Sequence, residues 1–121
     1  MRIKRFAGAT SAAVVLGLLG ASQAVAAPAA LTVTAFVEDQ MCLNGDNVQV
    51  DLSATSESTS GVRYRWDFNN DGIFDTRFSR NPDASAVYPD EVNATAVVQA
   101  RNRERDTATD SVSFATLRCE N

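Results

Sequence analysis

Nine residues in the middle of the chain collect oxygen donors at a spacing that suits a hard cation. Asp67-x-Asn69-x-Asp71-Gly72-x-x-Asp75 matches the opening of an EF-hand-type calcium loop. In such a loop Asp67, Asn69, Asp71 and Asp75 supply side-chain oxygens, Ile73 supplies a backbone carbonyl, and Gly72 permits the sharp turn. Calcium wants this kind of donor, and three carboxylates so close together otherwise repel one another. The closing position of the loop is Phe78, however, where a bidentate Glu belongs. A site therefore needs a further ligand from elsewhere in the chain, for which Asp83, Asp90 and Glu91 are candidates, or a water, and its affinity falls in the extracellular range of about 10⁻⁴–10⁻³ M. The competing reading is a hairpin turn whose Asp and Asn side chains accept hydrogen bonds from backbone N–H groups. In that case Asp67 pairs with Arg63, Arg65 or a loop amide.

Little other chemistry is open to the chain. It contains no histidine, which removes His-based triads, His–Cys dyads and His-ligated zinc or haem. Its two cysteines, Cys42 and Cys119, cannot build a four-cysteine metal site. In an oxidising compartment an even count reads as one disulfide, with free thiols or an intermolecular bridge as the alternatives. For so long a loop the chain-entropy model gives about 4.5 kcal/mol. Only carboxylate chemistry remains for an enzyme, as in glycoside hydrolysis. A domain this small has little room for a substrate pocket, so the expectation is a non-enzymatic protein with no cofactor beyond calcium.

The elements that must position these residues are strands. Apolar residues alternate at period two, and no sustained helical period appears after Pro28. Residues 31–37 form a first strand, and 38–47 carry turn chemistry around Asn44-Gly45-Asp46. Residues 48–52 form a second strand, and 53–61 read as a polar loop. In the third strand, 62–68, Val62, Tyr64, Trp66 and Phe68 share one face while Arg63, Arg65 and Asp67 share the other. The aromatic face is core and the charged face solvent, so Trp66 is a core residue rather than a sugar-stacking platform. Asn69–Gly72 is a tight turn. Residues 73–78 form a return strand, in which Phe74 and Phe78 read as core or edge cover. Residues 86–88, 94–100 and 110–117 complete the set, with a charged loop at 101–109. Seven short strands at this spacing predict an all-β, seven-stranded immunoglobulin-like sandwich, one domain over 28–121.

The first segment is an address. Arg2, Lys4 and Arg5 precede the apolar run 12–19, and Ala24-Val25-Ala26 is an A-x-A cleavage site. Residues 1–26 thus read as a secretory signal peptide, too short in its apolar run to span a bilayer. Cleavage takes those three cations from the 11 basic residues and leaves the 15 acidic ones, so net charge moves from −4 to −7. All remaining cations are arginine. Such a charge disfavours nucleic acid and anionic membrane surfaces as partners. The expected location is extracytoplasmic, either secreted or periplasmic.

The run Tyr64-Arg65-Trp66-Asp67-Phe68-Asn69-Asn70-Asp71-Gly72 resembles the signature of the PKD (polycystic kidney disease) domain family. That family carries a Trp-Asp-Phe core on its third strand and a Gly/Asp turn after it. Val48-x-Val50-x-Leu52-x-Ala54, Asn81-Pro82 with the later Tyr88, and 94–102 resemble further family positions. The likeness spans about residues 31–117. It departs where Val92–Ala96 replaces the family's Gly-x-Tyr-x-Val, and the family's role beside a catalytic domain is not carried over. The resemblance implies an immunoglobulin-like sandwich with an extracytoplasmic binding or spacer role.

The expected function is therefore an exported module that contacts an extracellular protein or polysaccharide, with the Asp67–Asp75 turn either ordered by calcium or capped by its own side chains. The alternative is a small secreted inhibitor of an extracellular enzyme, using a loop such as 53–61 or 101–109. The arginines at 101, 103 and 105 read as a solvated hairpin that protects a sheet edge, or else as a charged contact loop. Asn93-Ala94-Thr95 fits the N-glycosylation sequon.

Overall fold

The computed structural model describes residues 31–57 and 61–120. The predicted signal peptide, 1–26, lies outside the described residues. These form six strands: β1 (Val33–Cys42), β2 (Asn47–Ser56), β3 (Arg63–Asp67), β4 (Ala84–Pro89), β5 (Asn93–Arg101) and β6 (Thr107–Ala115). They make two antiparallel sheets, ordered β1-β2-β4 and β3-β5-β6. No helix is found among the described residues.

The period-two pattern decides which faces meet. Val48, Val50, Leu52 and Ala54 point inward from β2, and Ala96, Val98 and Ala100 from β5. Tyr64 and Trp66 come from β3 and Tyr88 from β4, and all join one core cluster. Phe68 packs on its margin, with its ring stacked near that of Trp66 at 6.5 Å. Trp66 is only 2% exposed, which makes it core as predicted. Burying each of the large apolar side chains contributes about 1.5–3 kcal/mol.

β1 runs on to Cys42, through residues read as a loop from the sequence. A bulge explains the difference. Val37 pairs with Leu52 but Asp39 pairs with Asp51, so Glu38 is an extra residue. The bulge reverses which residues face inward: Val33, Ala35 and Val37 before it, Gln40 and Cys42 after it. A phase break of this kind reads locally as the end of a strand. β2 likewise continues through Ser56, because main-chain pairing with Val33–Phe36 does not depend on side-chain polarity. The loop at 101–109 shrinks to the hairpin turn 102–106, since Arg101 pairs with Thr107.

The predicted return strand, 73–78, carries no ladder, leaving six strands among the described residues rather than seven. The segment folds back along the free edge of β3 through scattered bonds. Asp75 N donates to Trp66 O at 2.7 Å, Trp66 N donates to Thr76 Oγ1 at 2.9 Å, and Tyr64 and Ser79 exchange a pair of bonds. Side-chain acceptors replace part of the main-chain pairing, and the sheet edge is still covered.

The two sheets are also stitched along the β1 and β6 edges. Ala35 N donates to Asp110 Oδ2 at 2.8 Å. Gln40 Nε2 donates to Ala115 O, and Leu117 N donates to Gln40 Oε1. Cys42 and Cys119 are joined in a disulfide with a Cα–Cα distance of 5.7 Å. Such a bond points to an oxidising, extracytoplasmic environment.

Candidate functional site

The Asp67–Asp75 turn is built around the Asp67 carboxylate. Strand alternation puts this side chain on the solvent face, yet it is only 3% exposed because the turn wraps over it. Its Oδ2 accepts from Gly72 N at 2.9 Å and its Oδ1 from Asp71 N at 3.3 Å. In the orientation that satisfies both neighbouring carboxylates, the Asn69 amide nitrogen donates to Asp67 Oδ1 at 3.0 Å and to Asp71 Oδ1 at 3.1 Å. Asp71 Oδ1 accepts from Ile73 N, and Asp75 Oδ2 accepts from Phe68 N. Two left-handed residues, Asn70 at φ 55° and Gly72 at φ 88°, close the curve. Asn tolerates that region and glycine is at home there.

All four predicted donor side chains thus sit together, but each directs oxygen or nitrogen at the turn itself. The Ile73 N–H is satisfied by Asp71, and nothing places its carbonyl among the other donors. Among the described residues no group of three or more His, Cys, Asp or Glu side chains is placed to hold a metal ion. The further candidate ligands are engaged elsewhere. Asp83 Oδ1 accepts from Ser53 Oγ, Asp90 Oδ2 accepts from Cys119 N, and Glu91 faces Arg118. The Ile73 N–H bond, above all, holds the Asp71 carboxyl below the usual carboxylate range, with the Asn69 amide adding to it.

Tyr88 anchors the turn to the first sheet. Its hydroxyl donates to Phe68 O at 2.6 Å. Burial first, then the charges of Asp75 and Asp67, push the phenol up to about 12, so it stays a neutral donor.

Beside the turn lies an open cleft of about 720 Å³. Asn69 and Asn70 form one wall, Asn93, Thr95 and Ser113 another. An aromatic pair, Tyr88 and Phe114, packed edge to face at 5.2 Å, completes the lining with the apolar Val92, Ala94 and Ala115. A cleft this large is more than the size of the domain suggests. Its lining contains no carboxylate, thiol, lysine or arginine.

Phe74 and Phe78 do not join the core. Their rings lie on arginines of the outer β3–β5 face. Arg65 Cζ is 3.9 Å from the Phe74 ring centre and 4.5 Å from that of Phe78. Arg101 Cζ is 4.2 Å from the Phe78 ring centre. Alternation alone could not find this stack, because it depends on the irregular path of 73–79.

In comparisons with known proteins no family model matches the chain, and no curated protein or solved structure matches it either.

Proposed function

We propose that the chain is an exported, non-catalytic binding module with a PKD-type immunoglobulin-like sandwich, contacting an extracellular protein or polysaccharide through the cleft beside the Asp67–Asp75 turn. The cleft lining carries the reading. Its side chains are neutral, amides and hydroxyls beside the Tyr88–Phe114 pair and the apolar Val92, Ala94 and Ala115, and its only titratable group is a tyrosine whose proton is held up to about 12. Such a lining can orient a polar ligand, but it lacks a group poised for proton transfer near neutral pH. Trp66-Asp67-Phe68 supports the PKD-type assignment: Trp66 sits in the core and Asp67 nucleates the following turn. The carboxylates of the turn accept from its own amides, which supports a turn that holds its shape without calcium. The disulfide supports export.

The test expresses the full chain in an export-competent host and follows two readouts. Mass spectrometry is expected to show a chain beginning at Ala27, with Cys42 and Cys119 oxidised. An intact Met1 on chain recovered outside the cytoplasm overturns the signal-peptide reading. Sedimentation with a panel of neutral insoluble polysaccharides and extracellular proteins is expected to retain the chain on at least one. That retention should be lost in Asn70→Ala/Asn93→Ala. Retention that survives both substitutions rules out the cleft.

A further inference from the structure

We infer that the chain carries a second binding site, at the far end of the strands from the disulfide, that takes the sulfate or carboxylate groups of an acidic polysaccharide. Arg63, Arg101, Arg103 and Arg105 converge there with Asn102 and Gly61 around a recess of about 210 Å³. Net charge hides this cluster, because the chain as a whole is acidic.

Three observations make the recess a site rather than a solvated edge. First, its cations lack counter-charges. The ion pairs among the described residues are both made by Arg118, with Glu91 and Glu120. Glu104 and Asp106 share the hairpin with the arginines, yet neither comes within ion-pair distance of one. Asp106 instead closes the hairpin, its N–H donating to Asn102 Oδ1 and its Oδ2 accepting from Asn102 Nδ2. Second, the arrangement works against stability. Arg63 and Arg101 are direct cross-strand partners, a pairing in which like charges repel. Arg105 adopts φ 69°, a left-handed conformation uncommon outside glycine and asparagine. Third, two of the arginine side chains have packing partners within the fold. Arg101 lies on the Phe78 ring. Arg103 lies across Gly61, where an added Cβ would come 2.6 Å from its Nε. Pre-placed guanidinium forks are the donors that best match oxyanions.

The lining also selects the class of ligand. It contains no apolar side chain, whereas a protein partner needs an apolar centre. It offers no free aromatic face for a nucleobase, since Phe74 and Phe78 are already stacked on arginines. A thin, flexible acidic polysaccharide can insert one charged group at a time while its neighbours stay clear of the acidic remainder of the surface.

The experiment uses the full, oxidised chain and measures binding to a sulfated and to a uronate oligosaccharide. Single-stranded DNA, polyglutamate and inorganic sulfate are run alongside. At least one acidic oligosaccharide is expected to bind, more weakly at raised salt. Arg103→Gln/Arg105→Gln should weaken that binding by about tenfold or more, and Gly61→Ala, which displaces Arg103, should also weaken it. The charge-matched control Arg118→Gln should change it less than about twofold. Without ligand, Arg103→Gln/Arg105→Gln should melt at the parent temperature, a result that separates lost binding from lost folding. The proposal is overturned if neither oligosaccharide binds, or if binding ignores the recess substitutions. It is equally overturned if DNA, polyglutamate or free sulfate binds as tightly through the same arginines. Cleft binding by a neutral ligand is unaffected by these variants, so the two sites fail separately.

Discussion

Asp67 shows how one side chain can organise a whole turn. Its carboxylate accepts from two backbone amides of the loop that covers it. Asp67→Asn keeps the shape but turns one acceptor into a donor, leaving a buried amide unsatisfied at a cost of about 1–3 kcal/mol. Chemical denaturation would read that loss. Because the turn is held by its own amides, the melting temperature of the oxidised chain is expected to be the same in millimolar calcium and in chelator. A rise with calcium that vanishes in Asp71→Ala would instead establish a calcium-ordered turn. Acid and alkali act through different residues. Asp71 is held low by Ile73 N–H, and Asp51 by the Ser85 hydroxyl and then by Gln49. Groups depressed on folding contribute stability above the ordinary carboxylate value of 3.8, and this is lost as pH falls below it. Tyr88 is raised from 10.0 to about 12, so its contribution is complete below pH 10 and is lost as pH climbs through that interval. Tyr88→Phe should lose about 1 kcal/mol at neutral pH with the bond to Phe68 O, and should flatten the alkaline side of the stability profile.

Among the elements, β1 is the most informative. The extra residue at Glu38 allows Val37 to face Leu52 and, further along, Cys42 to face Val48. Without the bulge an uninterrupted register would point Met41 inward and Cys42 outward, away from Cys119. Two deletions of equal length therefore differ in outcome. Removing Glu38 leaves a regular ladder with the same partners, and the disulfide should still form. Removing Gln40 places Asp39 on the inner side and abolishes the two bonds Gln40 makes, one with Ala115 at the end of β6 and one with Leu117 beyond it. The second variant should be less stable than the first by about 2 kcal/mol or more in thermal or urea unfolding. On the outer face of β3, Arg63→Gln should stabilise the unliganded protein by about 0.2–1 kcal/mol by relieving its repulsion with Arg101.

At the scale of the whole molecule, two sheets of three strands enclose one core, and their two ends differ in charge and covalent structure. The disulfide clamps β1 to the segment after β6 at one end. Cys42→Ser/Cys119→Ser should lower stability by about 4.5 kcal/mol, or less if the unfolded chain is compact, in denaturant titrations that also follow the reduced parent. The opposite end carries the converging arginines, and the cleft lies between the turn and the start of β5. Much of this was legible in the linear chain. Alternation in 48–52, 62–68 and 94–100 specified strands, their inner faces and the burial of Trp66, because a side chain's face depends only on its position along its own strand. Two cysteines and no histidine narrowed the chemistry, since residue types set what chemistry is available wherever they lie. The path of 73–79, the phase reversal at Glu38, the burial of Asp67 and the meeting of Arg63 with Arg101 were decided only by the tertiary structure. Each depends on what stands across from a residue rather than beside it. Pairing across a sheet or over a turn is set by main-chain hydrogen bonds and by the closing of a shared core, neither of which leaves a local period to read.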